Sequence, residues 1–389
     1  QTDYALKYFT DVKDLWSIIF CLKSEGKVID NVGELEYIAK YAAESDQVTE
    51  VLQDVITAFE PWGAIKYTYR QRGTTTMVDE WSRDKFDRLY QLSTSMAKRK
   101  SSANCAAWCY TAAFLADLDA RPNEAWNYVL QAEYCPSSSF MKESIRVLKM
   151  YLDAKISVYD ASYESRLHND LRWLESKIKG NITKEVRENV ADSYCYRSAD
   201  YNISFYYWND MMRRILLSEL CPRMLDRGMP IRALQLANMA DNHLLNLVDS
   251  IEGKTLDEYR RSCSYNHIDY CGDFFYMMLD SVSINELIAY VKRASSGNTA
   301  FDKFLNSNGY INQDYFNDII GTRYLSDMNY SRAVQYLSKV SSTYQSMLNT
   351  EEYMHRDPFS LEGNRLSEHK DYKLSFAQEM MRLESAIDA

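Results

Sequence analysis

The sequence predicts an all-α protein built from tetratricopeptide-like helix pairs that stack into an α-solenoid-like array. Gly (12) and Pro (6) are scarce in 389 residues, below the roughly 7% and 5% of average proteins, so few β-turns are available. Apolar residues return at i, i+3, i+4 and i+7 along much of the chain, as on one face of an amphipathic helix. One segment also matches the tetratricopeptide pattern of Leu-Gly-x2-Tyr followed by Ala-x3-Phe. The matching residues are Ile320, Gly321, Tyr324, Ala333 and Leu337.

The first 60 residues are predicted to form three short helices. Two helical stripes, at 35–42 and 48–59, precede Pro61, which ends the second of them. Residues 61–84 then break the helical rhythm with an alternating apolar run. We therefore predict an irregular connection there, with room for a short strand.

Residues 85–348 are predicted to form the helix-pair array. Ala125, Ala233 and Ala333 occupy one register and lie 108 and 100 residues apart, close to three repeats of about 34 residues each. Only small side chains fit where antiparallel helices cross closely, so these alanines and Gly321 are predicted packing positions.

Two helix ends follow from the same pattern. Asn123 is predicted to cap the helix that carries Ala125, because asparagine is a preferred cap. Residues 349–389 are predicted to form a loop and a closing helix, which runs from Tyr372 to Ile387.

Charge and hydropathy disfavour two kinds of partner. The formal net charge is −10 and the cations are scattered, whereas binding phosphates requires clustered cations, so no nucleic-acid partner is predicted. The longest apolar run, 15–22, is far shorter than the roughly 20 residues that cross a bilayer. Because the chain begins at Gln1 and shows no leader with a cleavage site, we expect a processed product or part of a longer chain.

The eight cysteines are even in number, which permits disulfides, but they include no CxxC motif. Cys105 and Cys109 are predicted to be small buried residues on an Ala-rich helix face. Cys263, His267 and Cys271 would share one helix face and offer ligands to zinc. Zinc sites need a fourth ligand and usually closer cysteines, so we favour a polar, tyrosine-rich face there and predict no metal.

No catalytic or cofactor motif is present in the sequence. GxSxG, GxGxxG, the P-loop, HExxH and the EF-hand spacing are all missing, and the five histidines are isolated from one another. We therefore predict a protein that is not an enzyme and carries no cofactor.

Tyrosine, with 31 residues, is the most distinctive excess in the composition. Aromatic rings anchor interfaces and stack on sugars because they add large area with few rotatable bonds. The densest aromatic cluster, at 201–208, is followed by two arginines. Most of these rings are expected in the core. The candidate interaction surface comprises Tyr201, Tyr206, Arg213 and Arg214.

Several long stretches resemble uncharacterised tetratricopeptide-like envelope proteins of Bacteroidota. They are YYWNDMMRRILLSELCPRM (206–224), RALQLANMADNHLLNLVD (232–249), FNDIIGTRYLSDMNYSRAVQYLSKVSSTYQ (316–345), YMHRDPFS (353–360) and DYKLSFAQEM (371–380).

The resemblance implies an exported protein of the periplasm or outer membrane without catalytic activity. Its partners would be other envelope proteins, such as a β-barrel or a lipoprotein complex. Ser250 and Ser281 resemble the Asp-Ser-apolar sites at which exported Bacteroidota proteins carry O-glycans, although unmodified serines at helix ends are the simpler interpretation.

Two functions follow as hypotheses. The first is a non-catalytic scaffold or adaptor in a cell-envelope assembly, with the contacts made by exposed aromatic and arginine side chains. The alternative is a glycan-binding protein associated with outer-membrane nutrient uptake. A dispersed stripe of exposed side chains favours the first, and a compact aromatic patch with convergent polar groups favours the second.

Overall fold

The computed structural model describes most of the chain between Ile29 and Ile387. The described residues are 26, 29–45, 48–57, 59, 83–182, 203–247, 250–251, 254–255, 274–344 and 370–387. They divide into two compact units, one up to Asp160 and the other from Ala161 onward.

The described part of the first unit is helical throughout. Its helices are α1 (Asn31–Tyr41), α2 (Val48–Thr57), α3 (Arg83–Ala97), α4 (Cys105–Leu118), α5 (Pro122–Glu133) and α6 (Ser139–Ile156).

Local sequence signals explain several of these helix ends. Asp30 caps α1 by accepting a hydrogen bond from the amide of Gly33 at 2.7 Å, and Ser138 caps α6 in the same way. Helix α5 begins at Pro122 because proline fits the first turn, where its missing N–H has no helical partner. The predicted cap at Asn123 is therefore wrong, since Asn123 lies inside the helix.

Helix α4 forms the centre of the first unit. It packs against α3 and α5, and also against α2 and α6. Its alanines, together with Trp108 and Leu115, are fully or almost fully buried. A helix that is apolar on nearly every side must be covered on every side, which explains its central place.

The part of the second unit that the structure describes is also helical, apart from a two-residue antiparallel pairing of β1 with β2. Its elements are α7 (Ala161–Gly180), α8 (Ile203–Arg213), a π-helix (Arg214–Leu220), α9 (Cys221–Asp226), α10 (Pro230–Asn242), a 3-10 turn (Leu245–Leu247), β1 (Ser250–Ile251), β2 (Lys254–Thr255), α11 (Phe274–Ser281), α12 (Ile284–Ser296), α13 (Ala300–Asn308), α14 (Gln313–Ser326), α15 (Tyr330–Leu337) and α16 (Lys370–Ile387).

Helix α10 holds the centre of the second unit and is buried along almost its whole length. It packs against α9, α11, α12, α13 and the π-helix. Helices α14 and α15 form an antiparallel pair on which α16 lies. Capping boxes start α12 at Ser283 and α13 at Thr299, with Glu286 and Asp302 completing them.

The predicted all-helical character is confirmed for the part of the chain that the structure describes. The closing helix begins at Lys370, two residues before the predicted start. The unit boundary after Asp160 lies inside the predicted 85–348 array, because helical periodicity continues on both sides of it. Most of the predicted irregular connection at 61–84 lies outside the described residues, although α3 already begins at Arg83.

Helices α14 and α15 approach each other closely at Gly321. A Cβ atom added there would lie 2.6 Å from Cγ of Leu337 and 3.2 Å from its backbone nitrogen. Since real Cβ atoms never approach that closely, the two helices meet only because residue 321 has no side chain.

We expect Gly321→Ala to lower the free energy of unfolding by about 1–3 kcal/mol through overpacking. Urea denaturation measures this loss of unfolding free energy. Gly180→Ala is the matched control, because a Cβ at this helical glycine meets nothing within 4 Å and should be neutral or stabilising. Adding Leu337→Ala to Gly321→Ala should cost less than Leu337→Ala costs in wild-type protein. Equal costs would contradict the proposed contact.

Candidate functional site

The last helix, α16, packs on the α14–α15 pair through one face. Lys373 and Ala377 on that face are fully buried. Leu374 and Met380 are partly buried beside them, against a cluster formed by Leu325, Tyr330, Ala333 and Leu337. The first three turns of α16 are therefore held firmly on the second unit.

A second apolar face of α16 is mostly exposed, with Met380 half-buried at its edge. Phe376, Met380, Leu383 and Ile387 follow one another at intervals of four, three and four residues, so they form a single stripe along the helix. Phe376 is 37% exposed, Leu383 40% and Ile387 83%. Beyond Met380 every described residue of the helix is exposed. We call the four residues Phe376, Met380, Leu383 and Ile387 the α16 stripe.

Carboxylates flank the α16 stripe on both sides. Glu379 lies on one side of the stripe. It forms a 2.7 Å salt bridge with Arg382, which lowers the pKa of the glutamate. Glu384 is exposed on the other side. Because Arg382 neutralises Glu379, only Glu384 gives the stripe an acidic edge, and that edge is complementary to an apolar groove with a cation on the facing side.

The predicted interaction surface is only partly assigned by the structure. Tyr201 lies outside the described residues, and Tyr206 belongs to α8 but its side chain is not among the described ones. Arg213 is buried, and its Nη2 atom lies 3.2 Å from Oδ1 of Asp241. The prediction that Arg213 belongs to the interaction surface is therefore wrong. Arg214 is half-buried at the start of the π-helix.

The reason for the burial of Arg213 lies in α10 and α11. Asp241 on α10 also accepts a hydrogen bond from the amide of Phe275 at 2.8 Å, at the start of α11. Its carboxylate thus joins three helices, and the guanidinium of Arg213 balances the buried charge. The sequence contains no local signal of this pairing, because Arg213 and Asp241 are 28 positions apart.

The predicted packing residues lie in the interior. Ala125, Ala233 and Ala333 are all fully buried, as is Leu337. Tyr324 is half-buried and stacks on Tyr336, with 5.8 Å between ring centroids.

The other predicted sites have separate outcomes. The side chain of Ser281 is exposed at the end of α11 and its hydroxyl donates to the carbonyl of Met278, whereas Ser250 lies in β1.

Cys263, His267 and Cys271 lie outside the described residues. Cys105 and Cys109 are buried as predicted. Cys105 also forms a disulfide with Cys135, which was not predicted, while Cys109 and Cys221 are buried thiols.

No family model, no curated protein and no solved structure shows a significant match to this chain. Among the described helices, none combines the length and the hydropathy that a membrane span requires. Function must therefore be argued from the surface itself.

Proposed function

We propose that the protein is a non-catalytic interaction scaffold or adaptor in a cell-envelope assembly, and that the α16 stripe is a contact surface for a partner protein. The observation that carries the proposal is the exposure of Phe376, Leu383 and Ile387 in one helical register, with the half-buried Met380 between them, on a helix anchored at its other end. Single exposed apolar residues are ordinary, but a continuous stripe of them is typical of an interface.

The physical basis is burial of the stripe in a partner's groove. Full burial of a Leu, Ile, Phe or Met side chain contributes about 1.5–3 kcal/mol. A helix that is already folded and anchored by Lys373 and Ala377 loses little conformational entropy on binding, so more of that contribution remains as affinity. Recognition of a helix face by a groove requires no reactive group.

The proposed partner is another envelope protein, such as a β-barrel or a lipoprotein complex, and the proposed place is the periplasm or outer membrane. The support for this part of the proposal is the resemblance to envelope proteins of Bacteroidota. The exposed Glu384 beside the stripe favours a partner groove that carries Lys or Arg on the facing side.

We expect the double variant Leu383→Glu/Ile387→Glu to lose its partner. The measurement is affinity purification from gently solubilised envelopes, with mass spectrometry of proteins recovered in near one-to-one amount. The variant should fold normally because both side chains are exposed. Gln378→Glu, exposed on the same helix, adds a carboxylate outside the stripe and should retain the partner. Equal recovery with all three proteins would contradict the role of the stripe.

Glycan binding is the second candidate, and one aromatic residue favours it. Tyr134 at the end of α5 is 90% exposed, which leaves its ring open to stack on a sugar. If the wild-type protein is recovered without any partner, glycan arrays with Tyr134→Ala as the comparison test this candidate.

A further inference from the structure

Three cysteine sulfurs meet between α4 and α5 in the first unit. Cys105 is the first residue of α4, Cys109 follows one turn later and Cys135 lies just after α5. Cys105 and Cys135 form a disulfide with their Cα atoms 5.7 Å apart. The Sγ atoms of all three residues lie within 4.8 Å of one another, so the thiol of Cys109 is next to the disulfide.

The three sulfurs differ in their access to solvent. Cys105 and Cys109 are fully buried among the alanines of α4, whereas Cys135 is partly exposed. A reagent or a partner in solution therefore reaches Cys135 first. The neighbouring Tyr134 is the most exposed of the large apolar side chains that the structure describes, at 90%.

We propose that Cys105, Cys109 and Cys135 form an internal thiol–disulfide exchange site that releases Cys135 as a reactive thiol. The thiolate of Cys109 attacks Sγ of Cys105, and a Cys105–Cys109 bond forms as the Cys105–Cys135 bond breaks. The bonding electron pair leaves with Cys135, which takes up the proton that Cys109 gave to solvent. One disulfide and one thiol are present before and after, so the step needs no oxidant or reductant.

The product requires the first turn of α4 to open. Residues i and i+4 of an intact α-helix have Cβ atoms about 5–6 Å apart, beyond the roughly 3.5–4.5 Å of a disulfide. Cys105 is the first residue of α4, and no side chain caps this end of the helix, so Cys105 can leave the helix to form the bond. The exchange would replace a bond that joins α4 to the end of α5 with one inside α4. It frees the one sulfur of the three that faces solvent.

The chemical partner of the released thiol is a disulfide of another protein. The Cys135 thiolate would attack one sulfur of that disulfide and form a mixed disulfide, while the partner's other sulfur leaves as a thiolate. The site would thus capture a disulfide-bearing partner covalently and would act independently of the α16 stripe.

Burial controls the rate of this exchange. Removal from water raises the pKa of the Cys109 thiol to about 11, and the positive charge of Lys100 offsets this only in part. Only the thiolate attacks, so at neutral pH a small fraction of Cys109 is reactive. The rate should rise about tenfold for each pH unit below that pKa.

The test uses N-ethylmaleimide in excess, without added thiol, on the native full chain at pH 7.5 and 8.5. Mass spectrometry of peptides locates the label and the remaining disulfide. We expect the label on Cys135, a Cys105–Cys109 disulfide in the same molecules, and labelling about tenfold faster at the higher pH. The rate should not depend on protein concentration, because the exchange is internal.

The variant Cys109→Ser should leave Cys135 unlabelled and the Cys105–Cys135 disulfide intact. Cys221→Ser removes the other buried thiol among the described residues and should behave as wild type. Cys109→Ala serves if the serine variant does not fold. The proposal is overturned if Cys135 is labelled equally without Cys109, or if the wild type is labelled at Cys109 with the original disulfide retained.

Discussion

Asp302→Ala is expected to lower the free energy of unfolding by about 3–5 kcal/mol, because it removes the fully buried anion that pairs with the buried guanidinium of Arg232. The carboxylate of Asp302 is fully buried in the second unit, 2.9 Å from Nη1 of Arg232 and 3.2 Å from Nη1 of Arg293. It also accepts hydrogen bonds from the amides of Asn298 and Thr299 at 3.1 Å.

Arg232 of α10 connects the buried carboxylate of Asp302 to a further helix. Its guanidinium also pairs with Glu164 of α7 at 3.1 Å. The Arg232 side chain is only 8% exposed, so water does not replace the carboxylate when Asp302 is removed. Removing Asp302 therefore disturbs the packing of α7, α10, α12 and α13 together. Urea denaturation gives the loss, and Asp327→Ala, which removes an exposed carboxylate, should change stability by less than about 0.5 kcal/mol.

The buried carboxylate of Asp302 also predicts that the stability of the protein depends on pH. Burial alone would raise the pKa of Asp302, but Arg232, the Thr299 amide and Arg293 together lower it below the usual 3.8. A lowered pKa in the folded state stabilises the protein above the unfolded value, and this contribution is lost as the pH falls through the folded value. Asp302→Asn should therefore weaken the loss of stability below about pH 4. An unchanged acid slope would contradict the charge balance.

Lys373→Met is the second substitution with a large expected effect, again about 3–5 kcal/mol. Lys373 of α16 and Asp318 of α14 form an ion pair in which both side chains are fully buried. The ammonium also donates to the hydroxyl of Thr322 at 3.1 Å. Without the ammonium the carboxylate of Asp318 stays buried without its cation, so α16 should detach from the α14–α15 pair.

Three measurements separate this explanation from simple loss of packing. The double variant Lys373→Met/Asp318→Leu should regain most of the stability, because replacing both members of the ion pair by apolar groups leaves neither of the two buried charges behind. Lys303→Met, at an exposed position of α13, should change little. Limited proteolysis should cleave α16 faster only in the single variant at position 373. No recovery in the double variant would show that the ion pair is not the cause.

Detachment of α16 would also affect the proposed function. The stripe can act as the proposed contact surface only while Lys373 and Ala377 hold the helix in place. Lys373→Met should thus reduce recovery of the partner although residue 373 does not belong to the stripe. This result differs from that of Leu383→Glu/Ile387→Glu, which removes the contact but leaves the stability unchanged.

Much of the helical organisation was predictable from residue spacing. Helices α1, α2 and α16 lie within a few residues of the stripes predicted at 35–42, 48–59 and 372–387, since helical periodicity is a local property of the chain. The candidate site was less predictable. Leu374, Ala377, Met381 and Leu383 are all apolar in the sequence, and only the position of the α14–α15 pair determines which of them are covered.

Charged residues show the same limit. Arg213, Arg232, Asp302 and Lys373 are buried, although charged side chains are ordinarily solvated. Each is balanced by an opposite charge, and for Arg232 and Lys373 that partner lies 70 and 55 positions away. The spacing of residues in the sequence does not predict a pairing over such distances. For the same reason the prediction that Arg213 lies on the surface was wrong.

The sequence by itself determined the helical class, the helix ends with a capping residue and the small residues at close helix crossings, because these depend on neighbours within a few positions. Only the tertiary structure decided which charges pair, which cysteines meet and which apolar face of α16 remains open. Those outcomes depend on groups that are far apart in the chain and come together only when the helices pack.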